Sequence, residues 1–425
     1  MKKLLSLALC VILLSSLCGC SLVADTSELL KTPRLTGEMY SVEKALKKSI
    51  AEGYTLEYPS VGDKRSAIVL EDLDGSGKKE AIAFYSKTDK EEKQMHLSLL
   101  TDGSKDYRLA FDFSIIAAGI EKIEFCDFNS DGKKEVVAGF DIYGNNEKQL
   151  VVFKYQSGKL SELMRTEYTN FVCNDLIGNG KRQLLIQKLN EKESANEAVL
   201  YSLNGKTFSK ASTCSLDRNV SSVSKIVCAP LSNGKPAVYI DEIKGVGAIT
   251  EVLTVIDGKL SNPPIELNSE SAKSIRSAGI PFFDINNDGY LEIPIPAAST
   301  ESVENGENLV YWCTFDGKKP LVKESAFVNV VDGYSIFVPA VFSGKLKITK
   351  NPEKRIRRVY YKSDTTEKEM FTVRVVSKND DRAEYSGEVL AEKNGELYIM
   401  EIKNSVTELN LNKDELKKMF RFNEF

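Results

Sequence analysis

The chain has 425 residues, of which 42% are hydrophobic and 28% are charged, and its formal net charge at pH 7 is −4. This composition is ordinary for a globular protein, and the length exceeds what one compact domain usually needs. A slightly acidic chain without a stripe of lysine and arginine gives no basis for nucleic acid binding. The single histidine excludes a zinc site made of several imidazoles.

The N-terminal residues predict an exported lipoprotein. Two lysines precede an apolar stretch from Leu4 to Leu17 that is too short to span a bilayer and is typical of a secretory signal. The stretch ends in Leu17-Cys18-Gly19-Cys20, which resembles a bacterial lipobox and implies cleavage before Cys20 and acylation of its thiol. We therefore expect a signal peptide over residues 1–19, a lipidated tether over residues 20–37, and a location at the extracytoplasmic face of a bacterial membrane.

A short amphipathic helix is predicted after this tether. Val42, Ala45, Leu46 and Ile50 recur at helical spacing, and Gly53 follows as a stop signal. We expect the helix to pack against the domain that follows it.

Three nine-residue acidic loops are the most informative motif in the chain. Each offers oxygen atoms at positions 1, 3, 5 and 9, a backbone carbonyl at position 7, and glycine at position 6. The predicted ligands are Asp72, Asp74, Ser76, Lys78 and Glu80 in the first loop, Asp127, Asn129, Asp131, Lys133 and Glu135 in the second, and Asp284, Asn286, Asp288, Tyr290 and Glu292 in the third. Hard oxygen donors at this spacing favour calcium.

The loops differ from an EF-hand in two respects. An EF-hand closes with a glutamate at position 12, whereas that position is Ala83, Ala138 or Ile295 here. An apolar β-type run follows each loop instead of a helix. We therefore predict that the glutamate at position 9 is the last ligand.

The loop belongs to an internal repeat. Two further segments, near Asn179 and Asn233, are in the same frame but lack ligands, with Gln183 and Val238 following them. The loop glycines are residues 77, 132, 180, 234 and 289, and a tight-turn dipeptide follows each glycine after 24 to 28 residues. A period near 50 residues that contains strands and hairpin turns predicts the blades of a β-propeller.

With these loops, residues from about 60 to 335 resemble the FG-GAP/VCBS-type calcium propellers, the family that includes the integrin α-chain propeller. The resemblance implies that the loops lie between strands of a blade and bind calcium, and this role is assigned only to the three complete loops. We expect an all-β fold with roughly five to seven four-stranded blades over residues 38–332. Residues 333–425, with several β-type segments and a final helix from Asn412, form either a small α+β domain or a diverged blade that closes the ring.

Five cysteines follow the predicted signal peptide, namely Cys126, Cys173, Cys214, Cys228 and Cys313. They are an odd set with no close pair along the chain. Three of them precede a repeat loop, where a small buried residue would fit. We interpret them as core thiols, with a disulfide as the less favoured alternative.

Patterns that indicate catalysis are sparse. His96 lies in the alternating stretch from Met95 to Leu99, which places it on the polar side of a strand with Ser98 and predicts a surface or rim position. Trp312 is predicted to be a core residue, and the basic segment from Lys354 to Arg358 is predicted to be a solvated strand face.

The sequence favours a non-catalytic binding or scaffolding module for an envelope protein or a polysaccharide, in which calcium stabilises each blade. A calcium-dependent surface enzyme, such as a polysaccharide lyase on a propeller, is the alternative. A solute-binding lipoprotein with two α/β lobes is disfavoured because the repeat contains no helix.

Overall fold

The computed structural model describes residues 37–50, 53–89, 92–103, 106–143, 148–190, 192–267, 274–296, 308–338, 345–363, 366–379, 386–403 and 413–423. The predicted signal peptide, the lipidated Cys20 and residues 21–36 of the tether lie outside the described residues. None of the helices in the described part of the chain is both long and apolar enough to cross a membrane.

The predicted N-terminal helix is confirmed as α1, Gly37–Ser49. Its buried side chains are Val42, Ala45 and Leu46, so the apolar edge read from the sequence is the face that packs on the protein. Glu38 in the first turn accepts a hydrogen bond from the hydroxyl of Tyr107 at 3.0 Å. This bond and the apolar face fix the helix on the first sheet.

The remainder is mostly strand, which confirms the all-β prediction. The strands form six antiparallel sheets of four or five strands, which we number in chain order. The first sheet contains β1 (Tyr54–Leu56), β2 (Ile68–Glu71), β3 (Glu80–Asp89), β4 (Glu92–Asp102) and β5 (Tyr107–Ile116). The second sheet contains β6 (Gly119–Cys126), β7 (Glu135–Asp141), β8 (Lys148–Gln156) and β9 (Lys159–Glu167).

The third and fourth sheets repeat the same order of antiparallel neighbours. The third contains β10 (Asn170–Asn174), β11 (Gln183–Asn190), β12 (Ala195–Asn204) and β13 (Thr207–Ser215). The fourth contains β14 (Ser222–Pro230), β15 (Pro236–Lys244), β16 (Gly247–Ile256), β17 (Lys259–Ser261) and β18 (Arg276–Ser277).

The last two sheets depart from this order. The fifth contains β19 (Ile293–Pro296), β20 (Asn308–Phe315), β21 (Pro320–Asn329), β22 (Tyr334–Val338) and β28 (Phe420–Phe422). The sixth contains β23 (Leu346–Asn351), β24 (Ile356–Ser363), β25 (Thr366–Ser377), β26 (Glu388–Lys393) and β27 (Glu396–Ile402). A short helix, α2 (Lys413–Lys418), precedes β28.

The predicted boundary at residue 333 falls inside the fifth sheet. Tyr334 begins β22, which pairs with β21 from the preceding segment, and Asn329 lies opposite Tyr334 in that ladder. β28 then pairs with β22 and places Phe422 opposite Tyr334. The C-terminal segment therefore contributes two strands to the fifth sheet as well as the whole sixth sheet.

The hydrophobic core lies between sheets that follow one another in the chain. Separate clusters of buried apolar side chains join the first sheet to the second, the second to the third, and so on to the sixth. A further cluster joins α1 to the first sheet. None of the clusters formed by the described residues contains side chains of both the first and the sixth sheet, so closure of the ring stays a prediction.

Candidate metal-binding loops

The first acidic loop connects β2 to β3 and is held by its own carboxylates. Asp72 accepts hydrogen bonds from the backbone N–H groups of Ser76 at 3.1 Å and Gly77 at 2.8 Å. Asp74 accepts a second bond from the Ser76 N–H at 3.1 Å. The backbone hydrogen bonds, that from Gly77 foremost, lower the pKa of the Asp72 carboxyl. The loop therefore holds anionic oxygens in a fixed arrangement.

The same frame recurs in the other two complete loops. In the second loop, the Asp131 N–H donates to Asp127 at 3.2 Å and to Asn129 at 3.0 Å, and the Gly132 N–H donates to Asp127 at 2.9 Å. The third loop repeats these bonds among Asp284, Asn286, Asp288 and Gly289. Gly132 has a φ of 80°, a backbone conformation that side chains with a Cβ rarely adopt, which explains the glycine at position 6.

The glutamate at position 9 is buried beneath its loop. Glu80, Glu135 and Glu292 are 7%, 1% and 0% exposed. In each case, one carboxylate oxygen accepts a hydrogen bond from the backbone N–H at position 2, at 3.0, 3.3 and 3.0 Å respectively. Burial raises the pKa of Glu135 and of Glu292 to about 7. The glutamate thus braces the loop with one oxygen, and in the first loop the other oxygen of Glu80 accepts the Tyr155 hydroxyl at 3.2 Å.

An amide in a ligand-poor loop performs the same bracing. Gln183, at position 9 of the loop that begins at Asp175, accepts the N–H of Leu176 at 2.8 Å and that of Ile177 at 3.1 Å. Gln183 is 2% exposed, like its acidic counterparts. Bracing at position 9 therefore does not require a charge. Ligation was the only role predicted for position 9 from the sequence, and Gln183 was the residue that could have indicated the bracing role.

The donor set fits a hard divalent cation best in the first loop. One carboxylate oxygen from each of Asp72, Asp74 and Glu80 lies within 4.8 Å of the other two, and this is the only such acidic cluster among the described residues. In the second and third loops, an asparagine amide stands at position 3 and the three carboxylates are not gathered as closely. Ligation by the fifteen predicted residues stays a prediction, and the first loop has the strongest geometric support.

Neighbouring loops contact one another along one edge of the sheets. The Lys134 N–H of the second loop donates to the Leu73 carbonyl of the first at 2.8 Å. The Ser130 hydroxyl of the second loop donates to the Gly180 carbonyl of the third sheet at 3.3 Å. We call the contacting segments 72–80, 127–135 and 175–183 the loop edge. These contacts link the first loop to the second, and the second to the loop near Asn179.

The prediction that His96 lies at the surface is wrong, because it is 7% exposed. Its ring stacks on Tyr85 at 4.4 Å, and Tyr85 belongs to the cluster beneath α1. Asp112 bonds to the Nδ1 atom of His96 at 2.8 Å and accepts the hydroxyl of Ser98 at 2.5 Å. Because the Ser98 proton goes to Asp112 and not to the imidazole, these three residues do not form a nucleophilic triad.

Two other sequence expectations have opposite outcomes. Trp312 is 1% exposed, which confirms it as a core residue. The basic segment that contains Arg355 and Arg357 is not a solvated face. Arg355 pairs with Asp332 at 2.7 Å and with Glu396, and Arg357 is 7% exposed. Arg357 is buried and Arg355 is partly covered, because both lie beside carboxylates where the fifth and sixth sheets meet.

No family model and no curated protein matches the chain. Among solved structures, the chain is similar to an exotype rhamnogalacturonan lyase, with 11% identity and a TM-score of 0.34 over 73% of this chain and 65% of that one, so it spans less than two thirds of that structure's length. It is also similar to a rhamnogalacturonan lyase from Bacillus licheniformis, with 10% identity and a TM-score of 0.34 over 73% and 76% of the two chains. An exo-β-1,3-galactanase from Phanerochaete chrysosporium matches with 10% identity and a TM-score of 0.29 over 76% and 79%. Overlaps this weak establish neither a shared fold nor a shared activity.

Proposed function

We propose that this chain is a calcium-stabilised, non-catalytic binding or scaffolding module, anchored at the outer face of a bacterial membrane through an acylated Cys20. Its ligand is an envelope protein or a polysaccharide. The module resembles the FG-GAP/VCBS-type propellers in its loops, and the calcium ions act on the blades and not on the ligand. With three acidic side chains per site, calcium affinity falls in the weak range, roughly 10⁻⁴ to 10⁻³ M, which suits the outside of a cell.

The observation that carries the calcium assignment is the cluster of Asp72, Asp74 and Glu80. Their oxygens lie within 4.8 Å of one another, and the loop's own N–H groups hold the two aspartates in place. Three carboxylates at that separation repel one another, and a divalent cation removes the repulsion. Bound calcium would supply this neutralisation and would link the two strands that the loop connects.

The contacts along the loop edge support a scaffolding role. The Lys134 amide and the Leu73 carbonyl join the first loop to the second, so order in one loop favours order in the next. A series of sheets held in this way presents a rigid surface to a partner. Rigid surfaces lose less entropy on binding, which is the advantage that calcium would give to this module.

Thermal unfolding of the purified full chain in detergent, in excess calcium and in chelator, tests the proposal. Binding to the folded state alone stabilises by about 2.7 kcal/mol per site at a hundredfold excess over Kd, so we expect a clear rise of Tm with calcium. In the double variant Asp72→Asn and Asp74→Asn, the rise of Tm with calcium should be smaller, because the first loop no longer contributes to it. Asp175→Asn is the control, because its loop has a matching set of hydrogen bonds but few ligands. It should change the Tm in chelator but not the rise of Tm with calcium.

A Tm that is equal in calcium and chelator would remove calcium from the proposal. The binding role is tested separately with panels of polysaccharides and envelope extracts in calcium. Retention of a ligand without shortening of the polysaccharide chains supports a binding module. Shortening of those chains would instead favour the surface enzyme.

A further inference from the structure

Two cysteines face each other between the second and third sheets. Cys126 lies opposite Glu135 in its ladder, whereas the equivalent residue of the third sheet, opposite Gln183, is Asn174. Cys173 is therefore one residue out of phase with Cys126. Because successive side chains of a strand point to opposite faces, Cys126 points toward the third sheet and Cys173 points back toward the second. Both thiols pack on the apolar cluster that joins these two sheets.

The two thiols meet in one apolar cluster and have different environments. Cys126 is 1% exposed and accepts a hydrogen bond from the Arg182 guanidinium at 3.7 Å, whereas Cys173 is half-buried. Hydrogen bonding from Cys173, helped by Arg182, lowers the pKa of Cys126 despite its burial. Burial raises the pKa of Cys173. The Cys126 thiol is therefore the more acidic of the two.

The next interface repeats this geometry without the second sulfur. Cys228 lies opposite Val238, just as Cys173 lies opposite Leu184, so it points back toward the third sheet. The residue that meets it there is Asn174, the equivalent of Cys126; burial raises the pKa of the Cys228 thiol, and the Asn174 side chain opposes that rise. The protein therefore contains an internal control, a cysteine in a matching place with an amide as its partner.

We propose that Cys126 and Cys173 form an oxidisable dithiol, which a small hydroperoxide converts to a disulfide between the second and third sheets. The Cys126 thiolate attacks one peroxide oxygen, the O–O bond breaks, and the departing hydroxide takes a proton to become water. The Cys173 sulfur then attacks the Cys126 sulfenic acid, the S–O bond breaks, and the departing hydroxide takes the Cys173 proton. Two thiols are oxidised by two electrons, and the peroxide is reduced to two molecules of water.

The small size of the oxidant follows from the burial of Cys126. Cys126, the sulfur that attacks first, is 1% exposed, and hydrogen peroxide is small enough to reach it because it is scarcely larger than water. The resulting bond would add a covalent cross-link between these two sheets. It would therefore stabilise the folded state by restricting the unfolded chain.

Peptide mapping of the purified full chain tests the dithiol directly. The protein is reduced, desalted, treated with hydrogen peroxide, alkylated and digested. We expect the Cys126 peptide to be joined to the Cys173 peptide, with a mass lower by two hydrogen atoms than their sum. Cys214, Cys228 and Cys313 should be recovered as single alkylated thiols. Separate alkylation of Cys126 and Cys173, or a sulfinic acid at Cys126 without the link, would overturn the proposal.

Serine variants separate the pair from the other thiols. Peroxide should raise the Tm of the wild type and of Cys228→Ser by several degrees, whereas Cys126→Ser and Cys173→Ser should show no rise. A rise that persists in Cys126→Ser would assign the effect to other cysteines and refute the proposed bond. Because each variant is compared with itself before and after oxidation, a general loss of stability does not confuse the result.

Discussion

Glu242 is the most strongly perturbed carboxyl group in the described part of the protein whose pKa has a stated value. It is fully buried and accepts hydrogen bonds from Gln187 at 2.6 Å and Asn196 at 2.8 Å. Burial foremost, and then the adjacent Glu251, raise its pKa from 4.5 to about 9. At neutral pH, the native protein therefore keeps a proton on Glu242 that the unfolded chain releases.

This difference predicts a pH dependence of stability. Between the unfolded value of 4.5 and the folded value of about 9, the native state binds one proton more than the unfolded state at Glu242. The contribution of Glu242 is fully present below the first value and is lost as pH rises through the second. In Glu242→Gln, which is neutral at every pH, we expect the free energy of unfolding to fall less steeply between pH 5 and pH 9 than in the wild type.

Urea unfolding at several pH values measures both slopes. Glu167→Gln is the matched control, because Glu167 is exposed at the end of β9. Its slope should equal that of the wild type. Equal slopes for Glu242→Gln and the wild type would mean that Glu242 is ionised in the native state.

Position 9 of the second loop allows the two roles of its glutamate to be separated. Glu135→Gln should keep the bond from the Phe128 N–H and should melt in chelator at or above the wild-type Tm, because no charge is then buried. Glu135→Ala should lower the free energy of unfolding by about 1–3 kcal/mol, since a buried N–H is left unpaired. If Glu135 also binds calcium, only the wild type gains the full calcium shift. Equal losses for glutamine and alanine would refute the bracing role.

At the scale of single residues, the sequence predicts contacts between residues that are close together in the chain. The oxygens of Asp72, Asp74 and Glu80 come together as the nine-residue spacing indicated. His96 could not be placed, because its burial depends on Tyr85 and α1, which come from elsewhere in the chain. Arg355 was placed in solvent for the same reason, since its partners Asp332 and Glu396 are distant in sequence.

Among the elements, α1 covers the face of the first sheet that does not pack on the second. Leu46 is fully buried in this contact. Leu46→Ala should lower the free energy of unfolding by about 2–4 kcal/mol, because a buried leucine leaves a cavity. Lys48→Ala, on the exposed side of the same helix, should change it by no more than about 0.5 kcal/mol. A small effect of Leu46→Ala in denaturant titrations would mean that α1 is not part of the folded core.

The last strand, β28, gives a second test at this scale. Phe420 stacks on Tyr334 at 5.2 Å, and Phe422 meets the edge of Tyr398 at 4.8 Å. In denaturant titrations, the double variant Phe420→Ala and Phe422→Ala should have a free energy of unfolding that is lower by about 2–4 kcal/mol. Arg421→Ala, whose side chain is exposed between them, should lose less than about 1 kcal/mol. Equal losses would show that β28 does not hold the fifth sheet.

The repeating strands could be predicted, but β28 could not. Loops, hairpin turns and alternating residues recur with one period, so each repeat carries its own evidence of local structure. Strands are likewise confirmed within residues 333–425, where β-type segments were predicted, for example β24 and β25. The pairing of β28 with β22 depends on aromatic contacts between distant parts of the chain, and no local pattern encodes such a register.

At the scale of the whole molecule, stability is carried by contacts between consecutive sheets. Such a series behaves as a one-dimensional array, in which a perturbation is felt by neighbours and fades with distance. The cluster beneath α1 involves the first sheet alone. The cluster that contains Val359 and Phe371 joins the sixth sheet to the fifth. A closed ring would add a contact between the first and sixth sheets, and would let a perturbation pass between them.

Hydrogen exchange distinguishes an open series from a ring. If the series is open, Leu46→Ala should speed amide exchange in β3 and β4 and leave β24 and β25 unchanged. Val359→Ala, at a fully buried site of the sixth sheet, is the reciprocal variant and should speed exchange in β24 and β25 but not in β3 and β4. Faster exchange at both ends in both variants would mean that the ring is closed, as the family resemblance implies. Because both substitutions remove buried apolar side chains, a difference between the ends reflects connectivity and not the kind of damage.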